Sequence, residues 1–203
     1  MTHRIVHILL VVCGMWIAPV HASEPFGRPT TPVVSGGLYE KWIGVQRNIS
    51  EELKQMAVCE HDQNCSLEAI KFLSIIRAGK ARVGRARLGE VNRALNLSIR
   101  AVNETVDVWS SPLLTLARGG DCEDYAIAKF VALREAGISS DDLRIVVLHD
   151  TLSNGDHAVA VVRMDGHWMV LDNRRMTMIE DVNIRNYHPL FVIDSKGVNQ
   201  YHD

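Results

Sequence analysis

Gly137 divides this sequence into two folding regimes. Before it, Ala126, Ile127, Phe130, Val131 and Leu133 recur at helical spacing behind Asp121, a natural N-cap, and Gly137 is a natural stop. After it the period falls to two. Arg144–His149 (RIVVLH) reads as a buried strand and TLSNGD as a turn, and HAVAVVRM and HWMVLD are joined by Asp165-Gly166. Two β-rich runs joined by Asp-Gly predict a tight antiparallel hairpin. Leu190–Asp194 is a further expected strand. Helices followed by antiparallel strands predict an α+β domain.

Four more helices are expected upstream. Leu38, Trp42, Ile43, Ile49, Leu53 and Met56 predict one bent helix or two short ones, with Asn48 or Ser50 capping the second part. Ser66–Ala78, ending at Gly79, and Arg85–Asn96 follow, and Pro112–Ala117 sits behind a Ser-Ser-Pro cap. Their apolar stripes have packing periodicity, so they are scaffold and not site. Trp109 just before the short helix packs, or else lines a cleft.

At 203 residues with 47% hydrophobic content, the chain is long enough for one well-cored domain. Its formal charge of -2, with no long basic run and no zinc-finger spacing, argues against nucleic acid as a partner. Arg4 precedes an apolar run from Ile8 to Val20, and Val20-His21-Ala22 approximates a small-x-small cleavage site, so residues 1–22 read as a signal peptide. That run is short for a membrane span. No stable membrane insertion is expected once the signal is removed, an uncleaved anchor being the alternative. Residues 23–37, rich in Pro, Gly, Ser and Thr, read as an extended arm, and 38–203 as the folded domain.

Cysteine usage fits export. Cys13 lies in the signal. Cys59 and Cys65 enclose a short polar loop and either form a disulfide or stay free. Cys122 has no obvious partner. It opens the helix after Asp121, where unpaired N–H groups and the helix dipole favour a thiolate. A small buried hydrophobe is the plainer reading of such a cysteine.

The hairpin supplies a base. With Asp165-Gly166 as a two-residue turn, Met164 pairs with His167 and Asp172 falls opposite Val159. His157 and Asp172 are then diagonal neighbours on one sheet face, whereas His167 and Asn173 point to the other. A carboxylate that orients an imidazole beside a thiol is the arrangement of nucleophilic acyl chemistry: Cys122 attacks, His157 moves the proton, and Asp172 fixes the tautomer. The Cys122 backbone N–H can serve an oxyanion hole.

The run TLARGGDCEDYAIAKF, the HAV strand start and the VLDNR strand end resemble the bacterial transglutaminase-like cysteine proteinases, and among them those that release large adhesins from the cell surface. The resemblance implies a papain-like, transglutaminase-core fold, with N-terminal helices and a cysteine-bearing helix packed on an antiparallel sheet. It places the catalytic residues on Cys122, His157 and Asp172. It also implies dependence on Ca²⁺ held by Asp121, Glu123 and Asp124, a periplasmic location, and cleavage of the N-terminal region of a large surface adhesin during biofilm dispersal. The periplasmic domain of an inner-membrane cyclic di-GMP receptor is the implied inhibitor. Calcium has a physical rationale, because three carboxylates oppose a neighbouring thiolate and an oxygen-seeking cation would offset them. Acids in a first helical turn are also ordinary dipole partners. Three other readings remain: an acyl transferase with the same three residues, a non-catalytic binding module, and a zinc site of Cys122, His157 and His149.

Overall fold

A computed structural model describes residues 24–59, 65–103 and 106–202; the expected signal peptide lies outside them. Helices α1 (Gly37–Cys59), α2 (Leu67–Lys80), α3 (Gly84–Ser98), α4 (Pro112–Arg118) and α5 (Cys122–Glu135) precede most of the strands. The strands are β1 (Thr30–Val33), β2 (Leu143–Asp150), β3 (Gly155–Met164), β4 (His167–Leu171), β5 (Ile179–Glu180), β6 (Tyr187–Ile193) and β7 (Val198–Tyr201). They form one sheet in the order β1-β7-β6-β2-β3-β4-β5, with antiparallel neighbours throughout. This is the α+β architecture expected.

The central helix α5 is buried nearly all round. Ile127, Ala128, Val131, Ala132 and Leu133 are fully enclosed, and the helix packs on β2, β3, α2, α3 and α4. Each large apolar side chain so buried contributes roughly 1.5–3 kcal/mol. Gly137, at φ 97°, ends the helix in a Schellman motif: Ile138 N–H donates to Leu133 O and Gly137 N–H to Arg134 O. Ser66 caps α2 by accepting from the Ala69 N–H at 3.1 Å. The first expected helix is one continuous element: Trp42, Val45, Ile49 and Met56 form a single buried stripe, and nothing between them breaks the backbone. Asn48 and Ser50 lie inside it and cap nothing.

The hairpin has the counted register. Met164 pairs with His167 and Ala160 with Leu171, about a turn in which Asp165 and Gly166 both have positive φ, 53° and 81°. One sheet face carries Leu143, Ile145, Ala158, Ala160 and Val162 against the helices. The other carries a second apolar cluster that includes Val146, Leu148, Val159, Val161, Trp168 and Tyr187.

Residues 24–34 lie against the domain, with a 3-10 turn at Pro25–Gly27 leading into β1. β1 pairs with β7, Glu24 forms a two-pronged ion pair with Arg144, and Tyr201 donates to Pro25 O. Cys59 and Cys65 are disulfide-bonded, joining the end of α1 to the start of α2 with Cα atoms 5.3 Å apart. Among the described residues, no helix is long and apolar enough to cross a membrane.

Candidate active site

The turn before α5 demands two glycines. Gly119 adopts φ 88°, and a Cβ there would strike Arg100 O. A Cβ on Gly120 would strike the Asp124 carboxylate, which folds back beneath the turn. Gly120 is also stitched to the chain at 100–102: its N–H donates to Arg100 O, and its carbonyl accepts from Val102 N–H. Asp124 is fully buried, and its Oδ1 accepts the Ser110 N–H at 2.7 Å. These contacts present Cys122 as the first residue of α5. Asp121 holds the N-cap position, yet its side chain makes no capping hydrogen bond.

Cys122 is half-buried and is the free cysteine among the described residues. Its thiol donates to Glu123 Oε2 at 2.9 Å. Burial, and then the charge of Glu123 and its hydrogen bond, push the thiol pKa well up; a hydrogen bond from the Ala158 N–H pulls the other way. That N–H belongs to the residue after His157, so the sulfur lies against β3 beside the imidazole-bearing residue.

His157 is buried, and its Nε2 is 3.0 Å from Asp172 Oδ1, while its Nδ1 has no hydrogen-bond partner. The pair counted from the hairpin thus meets directly. Leu148, which pairs with His157, belongs to the second apolar cluster. His149, one residue further along β2, points to the opposite face and bonds Asp156 at 3.2 Å. Period-two alternation therefore puts His149 and His157 on opposite faces of the sheet, which argues against a zinc site of Cys122, His157 and His149.

Asp172 is the most heavily supported group. Burial favours its neutral acid, but hydrogen bonds from His157, from the Tyr187 hydroxyl (2.6 Å to Oδ2) and from the Arg174 N–H (2.9 Å to Oδ1) outweigh it and hold the carboxyl well below its usual range. Tyr187 was invisible to sequence reasoning, because it reaches Asp172 from β6, and only tertiary pairing shows that. So was Asp150. Buried at the end of β2, it binds the Arg174 guanidinium (2.9 Å), Asn186 (2.6 Å) and Ser153 (2.9 Å). Lys129, fully buried on α5, donates to Leu171 O at 3.2 Å; burial pulls its pKa down to about 7 against the opposing charge of Asp172. Trp109 is buried in the core, its packing reading.

Of the expected calcium ligands, Glu123 and Asp121 flank the thiol and Asp124 lies beneath the turn. Among the described residues, no group of three His, Cys, Asp or Glu side chains converges to hold a metal ion as arranged.

A family model described as bacterial transglutaminase-like cysteine proteinase matches residues 48–195. The chain belongs to this family. The structure of Legionella pneumophila LapG superposes with a TM-score of 0.63 at 21% identity, covering 73% of this chain and 87% of that one. A calcium-bound LapG structure from the same organism gives 0.61 at 20%, covering 76% and 90%, and an EGTA-treated one gives 0.63 at 21%, covering 75% and 86%. These likenesses show a shared LapG-type fold. No curated protein matches the chain by sequence. Family membership makes this proteinase a bacterial cysteine proteinase, as the sequence resemblance implied.

Proposed function

We propose that the chain is a calcium-dependent periplasmic cysteine endopeptidase with Cys122 as nucleophile, His157 as base and Asp172 as its orienting carboxylate. It cleaves the N-terminal region of a large surface adhesin, which promotes biofilm dispersal, and is inhibited by the periplasmic domain of an inner-membrane cyclic di-GMP receptor. The observation that carries the catalytic reading is the buried His157–Asp172 hydrogen bond next to a cysteine at a helix N-terminus. The adhesin and the receptor rest on the resemblance of the GGDCEDYAIAKF, HAV and VLDNR segments.

Cys122 attacks the scissile carbonyl carbon while His157 Nδ1 takes the thiol proton, and the same nitrogen returns it to the leaving amine. Asp172 accepts the Nε2–H, which fixes the tautomer that leaves Nδ1 basic. Water then hydrolyses the thioester. The Cys122 N–H supplies one donor to the developing oxyanion.

Glu123 accepts the thiol hydrogen in the present arrangement, and a Glu123 turned away leaves Nδ1 of His157 as the acceptor. Asp121, Glu123 and Asp124 are all oxygen donors, the chemistry that calcium prefers, and the recess under Gly120 sets one of them directly below the helix start. When bound, the ion supplies positive charge that offsets the acids around the thiol. The calcium-bound structure of Legionella pneumophila LapG supports this reading.

The test is digestion of adhesin N-terminal fragments by purified protein. Two fragments are expected with calcium, and none with excess chelator or with Cys122→Ala. Cleavage by Cys122→Ala would refute the nucleophile, and cleavage in chelator would refute calcium dependence. Incorporation of an added amine into the product would favour acyl transfer. Failure of a thiol-reactive substrate mimic to label Cys122 would favour the binding module.

A further inference from the structure

The charged end of the site is held by a side chain outside the cysteine, histidine and aspartate set. Tyr187 lies on β6, two strands away from the His157 strand, with β2 between them. Its hydroxyl donates to Asp172 Oδ2 at 2.6 Å, and its ring meets the His157 imidazole edge-on, with centroids 5.9 Å apart and planes at 64°. One buried side chain thus touches both members of the pair.

Asp172 needs such a partner. It lies just beyond β4, so no ladder bond reaches it, and a carboxylate can rotate about χ2. Oδ1 is occupied by His157 Nε2 and Arg174 N–H, and Oδ2 by Tyr187. Bonds to both oxygens fix the rotation. Short bonds to a carboxylate are among the stronger hydrogen bonds.

The support extends one layer further. Asp150 grips Arg174, whose N–H binds Asp172, and Asn186, the neighbour of Tyr187. One buried carboxylate therefore ties down both segments that meet at Asp172.

We propose that Tyr187 is a positioning residue for the reaction, locking Asp172 in the orientation that keeps the His157 proton on Nε2 and Nδ1 free to act as base. This rests on the proteinase reading given above. It assigns Tyr187 no contact with substrate.

Tyr187→Phe keeps the ring and removes one oxygen. Tyr201→Phe is the control, because it also deletes a buried hydroxyl–carbonyl bond, to Pro25 O at 2.9 Å, at a site on β7. With an adhesin fragment as substrate, Tyr187→Phe is expected to lower kcat about tenfold or more at unchanged KM, and Tyr201→Phe to change neither. Equal kcat for wild type and Tyr187→Phe, or equal losses in both variants, overturns the proposal. A second measurement needs no substrate. In a Cys122→Ala background, ¹⁵N NMR of His157 should show the Nε2–H tautomer, which becomes mixed in the Tyr187→Phe double variant; an unchanged tautomer overturns the proposal even where no fragment is cleaved. Absence of cleavage by the wild type together with a changed tautomer would instead refute the proteinase substrate reading and uphold the role of Tyr187.

Discussion

Asp172 keeps its charge in a buried place because three donors surround it, which makes its replacement informative. Asp172→Asn preserves shape but offers an amide where His157 needs an acceptor, and a wrong tautomer removes the base. Its kcat should fall roughly 10²- to 10⁴-fold with binding preserved, as steady-state kinetics on an adhesin fragment would show. The pH dependence follows from the lowered acid pKa. A depressed carboxylate stabilises the fold above its unfolded value, ordinarily near 3.8, and that contribution is lost as pH falls through the folded value. The stability gap between wild type and Asp172→Asn should therefore narrow below about pH 4, measured by urea titration at several pH values. Gly120 offers a second test at this scale. Gly120→Ala drives a methyl into the Asp124 carboxylate, and both cleavage and thermal stability should drop, by roughly 1–3 kcal/mol for the latter. His157 and Asp172 were legible in the sequence because a two-residue turn leaves one register for the strands beyond it. Tyr187 and Asp150 were not, since their partners lie 15 and 24 residues away in sequence, across strands whose order no local pattern encodes.

At the scale of elements, α5 carries Cys122 at one end and a buried amine in its middle. Lys129 lies seven residues after Cys122, hence on the same face, and its bond to Leu171 O joins the cysteine helix to the strand that precedes Asp172. Burial makes its protonation costly. An amine with a folded pKa near 7 against an ordinary 10.5 destabilises the fold below pH 7, and the cost disappears as pH rises to 10.5. Wild type should then gain up to roughly 5 kcal/mol relative to Lys129→Met between pH 7 and 10.5, read as the difference in unfolding free energy. A gap that stays constant with pH would show that folding leaves the Lys129 pKa unshifted. Sequence periodicity revealed α5 and its stop at Gly137, yet not this lysine, because a single charge on an apolar helix face has no signature of its partner. The sequence predicts one bent helix or two short ones where α1 is continuous for a related reason: Asn48 and Ser50 are good caps locally, and the stripe from Trp42 to Met56 outweighs them. Short edge strands were also missed. β1 contains Pro32 and has no buried residue, and such strands take their identity from the neighbour they pair with.

Across the whole molecule, one side of the sheet is built by segments from both ends of the described chain, β1 at the edge and β7 beside it. The Cys59–Cys65 disulfide closes a short loop and contributes little to this architecture. Replacing both cysteines by Ser should cost roughly 2 kcal/mol or less, a thermal shift of a few degrees without loss of cleavage. The first and last strands matter more. β1 has β7 as its neighbour, and β7 joins it to β6 and thence to β2. Glu24 reaches Arg144 and Tyr201 reaches Pro25 across the same region. An order of folding events follows from this pairing. Synthesis delivers residues 30–33 long before residues 198–201, and β1 has nothing to pair with until β7 arrives. The arm therefore waits on the tail, and this edge of the sheet closes only once residues 198–201 are available.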